Sequence, residues 1–261
     1  MDVLRRHAHD AAARAHTPYS GRPAAAVLLL SDGAWVPGVR VESASFSLVI
    51  PALVNALSTA VAAGRRDVVA AVLDHAATPD EAAFLATVPD GAFERAAEDA
   101  FVRRAGVSLP PASERLDPFL DAPLPASSED GIALARAVAE RALVPESSFP
   151  VGCVLAAGGR LVPGVNVEHP DWSRVLCAER NALGTAVSYG LPEAEALYLT
   201  CLKDPAGTPC GACRQLLVEL ASAAVLWMDR GDNAPASAAP SALLPGAFDG
   251  RALEPPAGDP T

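Results

Sequence analysis

A chain of 261 residues has room for one large domain or two of ordinary size, and at 51% hydrophobic it can bury a substantial core. Its 20 Lys and Arg stand against 31 Asp and Glu, a net charge of −11. So acidic a surface repels phosphate backbones and excludes a nucleic-acid polymer as the expected partner. Short basic pairs such as Arg65-Arg66 and Arg103-Arg104 do not offset it.

The opening residues carry charges and histidines where a signal peptide would need an apolar stretch, and no apolar run reaches the 18 residues that would span a membrane. A cytoplasmic chain with no membrane partner is expected. The five cysteines, an odd number, argue against a disulfide framework. All five (Cys153, Cys177, Cys201, Cys210 and Cys213) lie in the second half.

In chain order the pattern predicts a helix over 4–15, a Pro-x-Ser turn, a short apolar strand AAAVLL and a second strand after a Gly-containing turn. The same order then returns. A helix over 131–142 precedes Pro145-Glu146-Ser147, the strand VGCVLA and the strand LVPGVNVE. A helix through CAERNALGTAVSYG then ends at Gly190. A strand over 196–200 and a helix over 211–222 follow, and the last thirty residues read mostly as loop, with LLPGAF (243–248) docking.

This is a duplication. Residues 36–64 align with 162–190 without a gap at an offset of 126, with 16 identities in 29 positions. Upstream, 17–29 parallels 144–156, and downstream 89–99 is aligned with 209–219. The expected organisation is a first copy over 1–115, a Pro/Ser-rich linker over 116–130 and a second copy over 131–261. Helices alternating with short strands give an α/β fold, with the sheet as the middle layer of each copy.

Chemistry concentrates in the second copy. Cys210 and Cys213 in PCGACRQ share one face of a first helical turn. A CxxC of this kind can be a redox pair, a metal site or two incidental thiols. Cys177 in CAERNAL adds a third cysteine at another predicted helix start, where partial positive charge favours the thiolate that binds zinc. The candidates for a fourth ligand, Cys201, His169 and Cys153, lack paired-ligand spacing. Cys153 and Cys201 fit buried strand thiols, and His169 sits in a turn expected to be solvated. Glu179, two residues beyond Cys177, suits an acid/base better than a ligand. A catalytic metal site that keeps an open position is therefore preferred to a closed structural one.

CAERNA followed by PCGACRQ resembles the cytidine deaminase family of zinc-dependent nucleoside deaminases, as do SSFPVG (147–152), GVNVE (164–168) and LLPGAF in that order. The resemblance implies two tandem copies of a three-layer α/β/α domain with a central mixed sheet. It implies one Zn²⁺ per chain, held by Cys177, Cys210 and Cys213. Zinc-bound hydroxide would attack C4 of cytidine or deoxycytidine while Glu179 shuttles protons, yielding uridine or deoxyuridine in pyrimidine salvage. Phe149 and Ala178 would meet the base, and Asn166 and Glu168 the ribose 3′-hydroxyl. Arg180 would hydrogen-bond the thiolates, Gln215 would support the site, and Phe248 would reach a neighbouring active site. The sequence departs from the family after the sugar grip, at His169-Pro170-Asp171-Trp172, and at Glu146 and Cys153.

In the alignment of the copies, Pro51, Leu53 and Val54 stand opposite Cys177, Glu179 and Arg180, and Asp90 and Phe93 opposite Cys210 and Cys213. Arg22 and Arg40 replace Phe149 and Asn166, while Gly38, Asn55, Ala56, Leu57 and Gly64 persist. The first copy is thus expected to keep the fold and lack zinc and catalysis. Duplicated family members imply a homodimer that imitates a tetramer of domains. Two other readings compete: a deaminase of another aminopyrimidine nucleoside such as blasticidin S, and a zinc-binding scaffold without catalysis.

Overall fold

The computed structural model describes residues 1–89, 91–103, 108–250 and 253. The first copy runs α1 (Asp2–Ala12), β1 (Ala25–Leu30), β2 (Trp35–Val39), α2 (Ala52–Ala62), β3 (Val68–Leu73), α3 (Pro79–Thr87), β4 (Glu94–Ala97) and β5 (Ala100–Val102). The second runs α4 (Ser128–Ala139), β6 (Val151–Ala157), β7 (Arg160–Val165), α5 (Ala178–Tyr189), β8 (Ala196–Cys201), α6 (Gly211–Leu220), β9 (Val225–Arg230), β10 (Asn233–Ala238) and α7 (Pro240–Leu243). Each copy builds a five-stranded sheet with helices on its faces. The orders are β2-β1-β3-β5-β4 and β10-β9-β8-β6-β7.

Strand periodicity makes the three layers, because successive side chains point to opposite faces. Along β1, Val27 and Leu29 pack with Leu4 and Ala8 of α1, while Leu28 and Leu30 join Leu53 and Ala56 of α2. Along β6, Val154 and Ala156 pack with Ile132 and Ala135 of α4, while Cys153 and Leu155 join Ala178 and Ala182 of α5. Cys153 is therefore a buried core thiol. The α2 and α5 layers belong to one continuous core that spans both copies.

The seam between the copies is a pseudo-two-fold. Thr59 Oγ1 meets Thr185 Oγ1 at 2.8 Å, and these residues are equivalents at the 126-residue offset. Asn55 Nδ2 donates to the carbonyls of Val39 (2.8 Å) and Gly184 (3.1 Å). Its equivalent Asn181 donates to the carbonyls of Val165 and Ser58, both at 3.0 Å. Each acceptor is the repeat partner of the other, as an isologous interface requires. Fully buried Nδ2 donors paired in both copies hold the register, because a shifted pairing would strand them.

Glycine makes the close helix–strand crossing possible. A Cβ on Gly164 of β7 would lie 2.2 Å from the Ala178 carbonyl of α5, and one on Gly38 of β2 would lie 2.4 Å from the Ala52 carbonyl of α2. The glycine of the repeated VPGV is thus explained twice by one contact. Gly190 ends α5 in the left-handed conformation (φ 71°), as expected.

Three expectations are corrected. Residues 89–99 do not repeat 209–219. Phe93 precedes strand β4, whereas 211–220 is helical, and Asp90 lies outside the described residues. The helix that follows β3, as α6 follows β8, is α3. The chain after α3 then returns as the pair β4–β5, with β5 antiparallel to β3, where β9 runs parallel to β8. Nor is the segment after 115 a loose spacer. Leu116 N–H donates to the Trp35 carbonyl and Leu120 N–H to the Leu161 carbonyl, covering both edge strands β2 and β7. Phe119 packs edge-on against Tyr189, whose hydroxyl donates to the Leu116 carbonyl. Finally, α4 starts at Ser128 rather than 131, because Ser127 and Asp130 form a reciprocal capping box.

No helix among the described residues is long and apolar enough to cross a membrane. Gly164→Ala overpacks a backbone crossing, which costs about 1–3 kcal/mol, and calorimetry should show Tm lowered by roughly 2–4 °C per kcal/mol. His75 holds Asp74 at 2.7 Å and Glu81 at 3.1 Å, and these partners, Asp74 first, raise its pKa to about 10. A raised histidine pKa stabilises fully below the ordinary value of ~6.5 and stops doing so as pH passes the folded value. The Tm gap between wild type and His75→Gln should therefore be about 2–4 °C at pH 6 and close as pH passes about 10.

Candidate active site

The three cysteines converge because two helices begin side by side. Cys177 is the N-cap residue of α5 and Cys210 that of α6, with Cys213 one turn into α6. Cys177 Sγ lies 3.7 Å from Cys210 Sγ, and Cys210 Sγ lies 3.6 Å from Cys213 Sγ. All three sulfurs fall within 4.8 Å of one another, and among the described residues no fourth His, Cys, Asp or Glu joins them. Sulfurs arranged tetrahedrally at ~2.3 Å around zinc are about 3.8 Å apart, so these residues fit the ion. The chemistry of the set agrees. Hydrogen bonding with Cys177 and Cys213 holds the Cys210 thiol far below its ordinary range, and the Cys213 and Ala212 backbone N–H groups at the helix start lower it further. Contact with Cys210 pushes Cys177 up, and contacts with Cys177 and then Cys210 push Cys213 up.

Glu179 lies in the first turn of α5 and is buried. Burial above all pushes its carboxyl up to about 7. Together with the cysteines it lines a cavity of about 340 Å³, within the range of small-molecule sites. Phe149, Asn166, Glu168 and Ala178, expected from the sequence to contact substrate, line the same cavity. So do Trp172, Cys201 and Thr208, which that reading did not assign to it. Trp172 was visible only as a departure from the family pattern; its place comes from a 3₁₀ turn over 172–174.

Asn166 and Glu168 already serve the cavity wall. Asn166 Oδ1 accepts from Val151 N–H and its Nδ2 donates to the Phe149 carbonyl, both at 2.9 Å. Glu168 accepts from the N–H groups of Glu146 (2.9 Å) and Ser147 (3.1 Å) and from the Ser147 hydroxyl. The first copy repeats this brace, with Glu42 accepting from Tyr19 and Ser20. The glutamate that ends this motif therefore anchors the Pro-x-Ser loop whether or not a copy carries cysteines.

Other residues lie elsewhere than expected. Arg180 makes no hydrogen bond to a cysteine: its Nη2 donates to the Leu48 carbonyl of the first copy at 2.9 Å, because the side chain crosses the seam. His169 is buried, not solvated, with Nε2 3.0 Å from Thr87 Oγ1 and its ring stacked on Phe84 of the first copy. Gln215 donates to Glu219 and to the Phe248 carbonyl at 2.6 Å. Phe248 is half exposed and does not line the cavity of its own chain. The tail returns as strand β10 and helix α7 where loop was expected. Where the first copy would mirror the cysteines, Pro51, Leu53 and Phe84 line a small, largely apolar space.

The zinc-binding region of cytidine and deoxycytidylate deaminases matches residues 126–228, and a second family model of that region matches 1–78. A cytidine deaminase of Sporosarcina psychrophila is 39% identical over 121 residues, covering 45% of this chain and 88% of that protein. One of Halalkalibacterium halodurans is 38% identical over 113 residues, covering 42% and 84%. The crystal structure of a Burkholderia pseudomallei cytidine deaminase superposes with TM-score 0.45 at 31% identity, covering 47% of this chain and 99% of that one. The chain belongs to the cytidine and deoxycytidylate deaminase family, as a cytidine deaminase with two tandem copies of the family's domain.

Proposed function

We propose that the second copy hydrolyses cytidine and deoxycytidine to uridine and deoxyuridine, releasing ammonia, in pyrimidine salvage. The observation that carries this reading is the three-cysteine cluster on one wall of a nucleoside-sized cavity with a buried carboxylate two residues from Cys177. Cys177, Cys210 and Cys213 would hold the zinc, one ion per chain. When bound, zinc supplies Lewis acidity, which activates water at neutral pH.

The chain's own residues do the rest. Glu179 accepts a proton from the attacking water and delivers it to N3 of the pyrimidine, then takes the remaining proton from the new C4 hydroxyl and passes it to the amino group. The C4–O bond forms first, as N3 takes its proton, and the C4–N bond then breaks as C4=O forms and ammonia leaves. Phe149 and Ala178 receive the base, and Asn166 and Glu168 receive the ribose while bracing the cavity wall. An apolar wall beside a buried carboxylate excludes bulk water from the proton path. Gln215 holds the α6–tail junction, Arg180 ties α5 to the first copy, and Phe248 is free to meet a second chain.

The division of labour belongs to the same reading. Residues 1–115 form a zinc-free copy, 116–130 connect, and 131–261 catalyse. Two chains associate as a homodimer in the cytoplasm. The first copy has no cysteine at all, which supports the zinc-free assignment.

Elemental analysis of the purified protein should find one zinc per chain, and Cys177→Ser or Cys213→Ser should abolish it. Two zincs per chain would refute the zinc-free first copy. In Glu179→Gln, zinc content should stay at the wild-type level. Its kcat for cytidine, followed by ultraviolet absorbance, should fall by about 10²–10⁴-fold; unchanged turnover would remove Glu179 from the proton path.

A further inference from the structure

The sulfur cluster depends on the relative placement of two helices, since Cys177 belongs to one and Cys210 and Cys213 to the other. One short stretch of the first copy is tied to both. At its start, the Ser43 hydroxyl donates to Glu219 Oε1 at 2.9 Å and the Ala44 N–H to Glu219 Oε2 at 3.0 Å, gripping both oxygens of a carboxylate on α6. Ser43 Oγ also accepts from the Ser45 N–H at 3.1 Å, which fixes its rotamer. At its end, the Leu48 carbonyl accepts from Arg180 on α5.

Glu219 is poorly placed for the helix that carries it. A carboxylate in a last turn faces the negative end of the helix dipole, so helix stability does not account for it. Its bonds across the seam do. Within α6 it accepts from Gln215 Nε2 at 2.5 Å, two residues from Cys213. The pseudo-two-fold supplies an internal comparison. At the 126-residue offset Ser43 becomes His169, which docks on Thr87 and Phe84 of α3. Both seams therefore join a loop of one copy to the end of a helix in the other, but the charged, two-oxygen version occurs where that helix bears cysteines.

We propose that the first copy acts as a positioning element for the metal site: residues 43–48 set the spacing of α5 and α6, with Glu219 as the positioning residue. This rests on the reading of Cys177, Cys210 and Cys213 as zinc ligands, and the experiment separates the two.

The full-length chain is compared with Glu219→Ala, Ser43→Ala and, as a control on the far side of the first copy, Arg5→Ala, which breaks the 2.6 Å pair with Asp99. Two quantities are read. One is the rate of zinc transfer to a chromophoric chelator. The other, in metal-free protein treated with diamide, is the ratio of Cys177–Cys210 to Cys210–Cys213 disulfides by peptide mapping, the second pair lying within α6 and serving as internal standard. Loss of an outer-shell support weakens metal sites about 10–100-fold. Glu219→Ala should accordingly speed zinc transfer by about 10-fold or more and lower the disulfide ratio several-fold. Ser43→Ala should move both in the same direction by less, and Arg5→Ala should leave both at wild-type values. Wild-type values for both in Glu219→Ala would overturn the proposal, as would equal shifts in Arg5→Ala. If Glu219→Ala does not fold, Ser43→Ala decides by the same two readings. If the wild type takes up no zinc, the ligand reading fails while the disulfide ratio still decides the positioning role.

Discussion

Everything in this molecule is arranged around the packing of α2 against α5. Two helices that descend from one ancestral segment meet across their own pseudo-two-fold, with Thr59 facing Thr185 and two buried asparagines exchanging equivalent bonds. An amide N–H left unpaired in this interior would cost about 1–3 kcal/mol, so the paired arrangement has little freedom to slide. The glycines of β2 and β7 let each helix lie directly on its strand. Because α5 begins at Cys177, the seam that joins the copies also locates one wall of the candidate active site.

That coupling gives a physical account of why a copy without the cysteines persists. The first copy retains Gly38, Asn55 and Glu42, residues that brace the scaffold and the seam, and has proline and leucine where the second has Cys177 and Glu179. Without it, α5 would expose its buried seam face, and Asn181 would lose its bond to the Ser58 carbonyl. Arg180 and Glu219 would lose their partners on the 43–48 stretch. The second copy carries the three-cysteine cluster, and the first supplies half of the core beneath it.

The most informative differences between sequence reading and structure occur where two distant segments meet. A Pro-rich stretch after residue 115 reads as a spacer by composition, yet it covers two strand edges because β2 and β7 lie close enough for one segment to bridge them. Asn233–Ala238 has little strand propensity, and it is a strand because β9 offers an open edge. His169 looks like a turn residue open to water until α3 of the other copy closes over it. The alignment of 89–99 with 209–219 followed shared Pro, Gly and Ala. It failed because such composition does not separate a helix start from a turn leading into a strand.

What the chain determined by itself is local or repeated: the duplication, the strand alternation that makes three layers, the helix stop at Gly190, the cysteine spacing and the carboxylate beside Cys177. These follow from periodicity, backbone geometry and the family pattern, none of which needs the partner segment to be known. The tertiary structure alone decided which carbonyl Arg180 meets and which donors Glu219 meets, that Trp172 and Thr208 join the cavity, and how α5 and α6 bring three sulfurs within reach of one ion. Such contacts join residues far apart in the chain, and their energies depend on desolvation and exact approach, which no single stretch of sequence encodes.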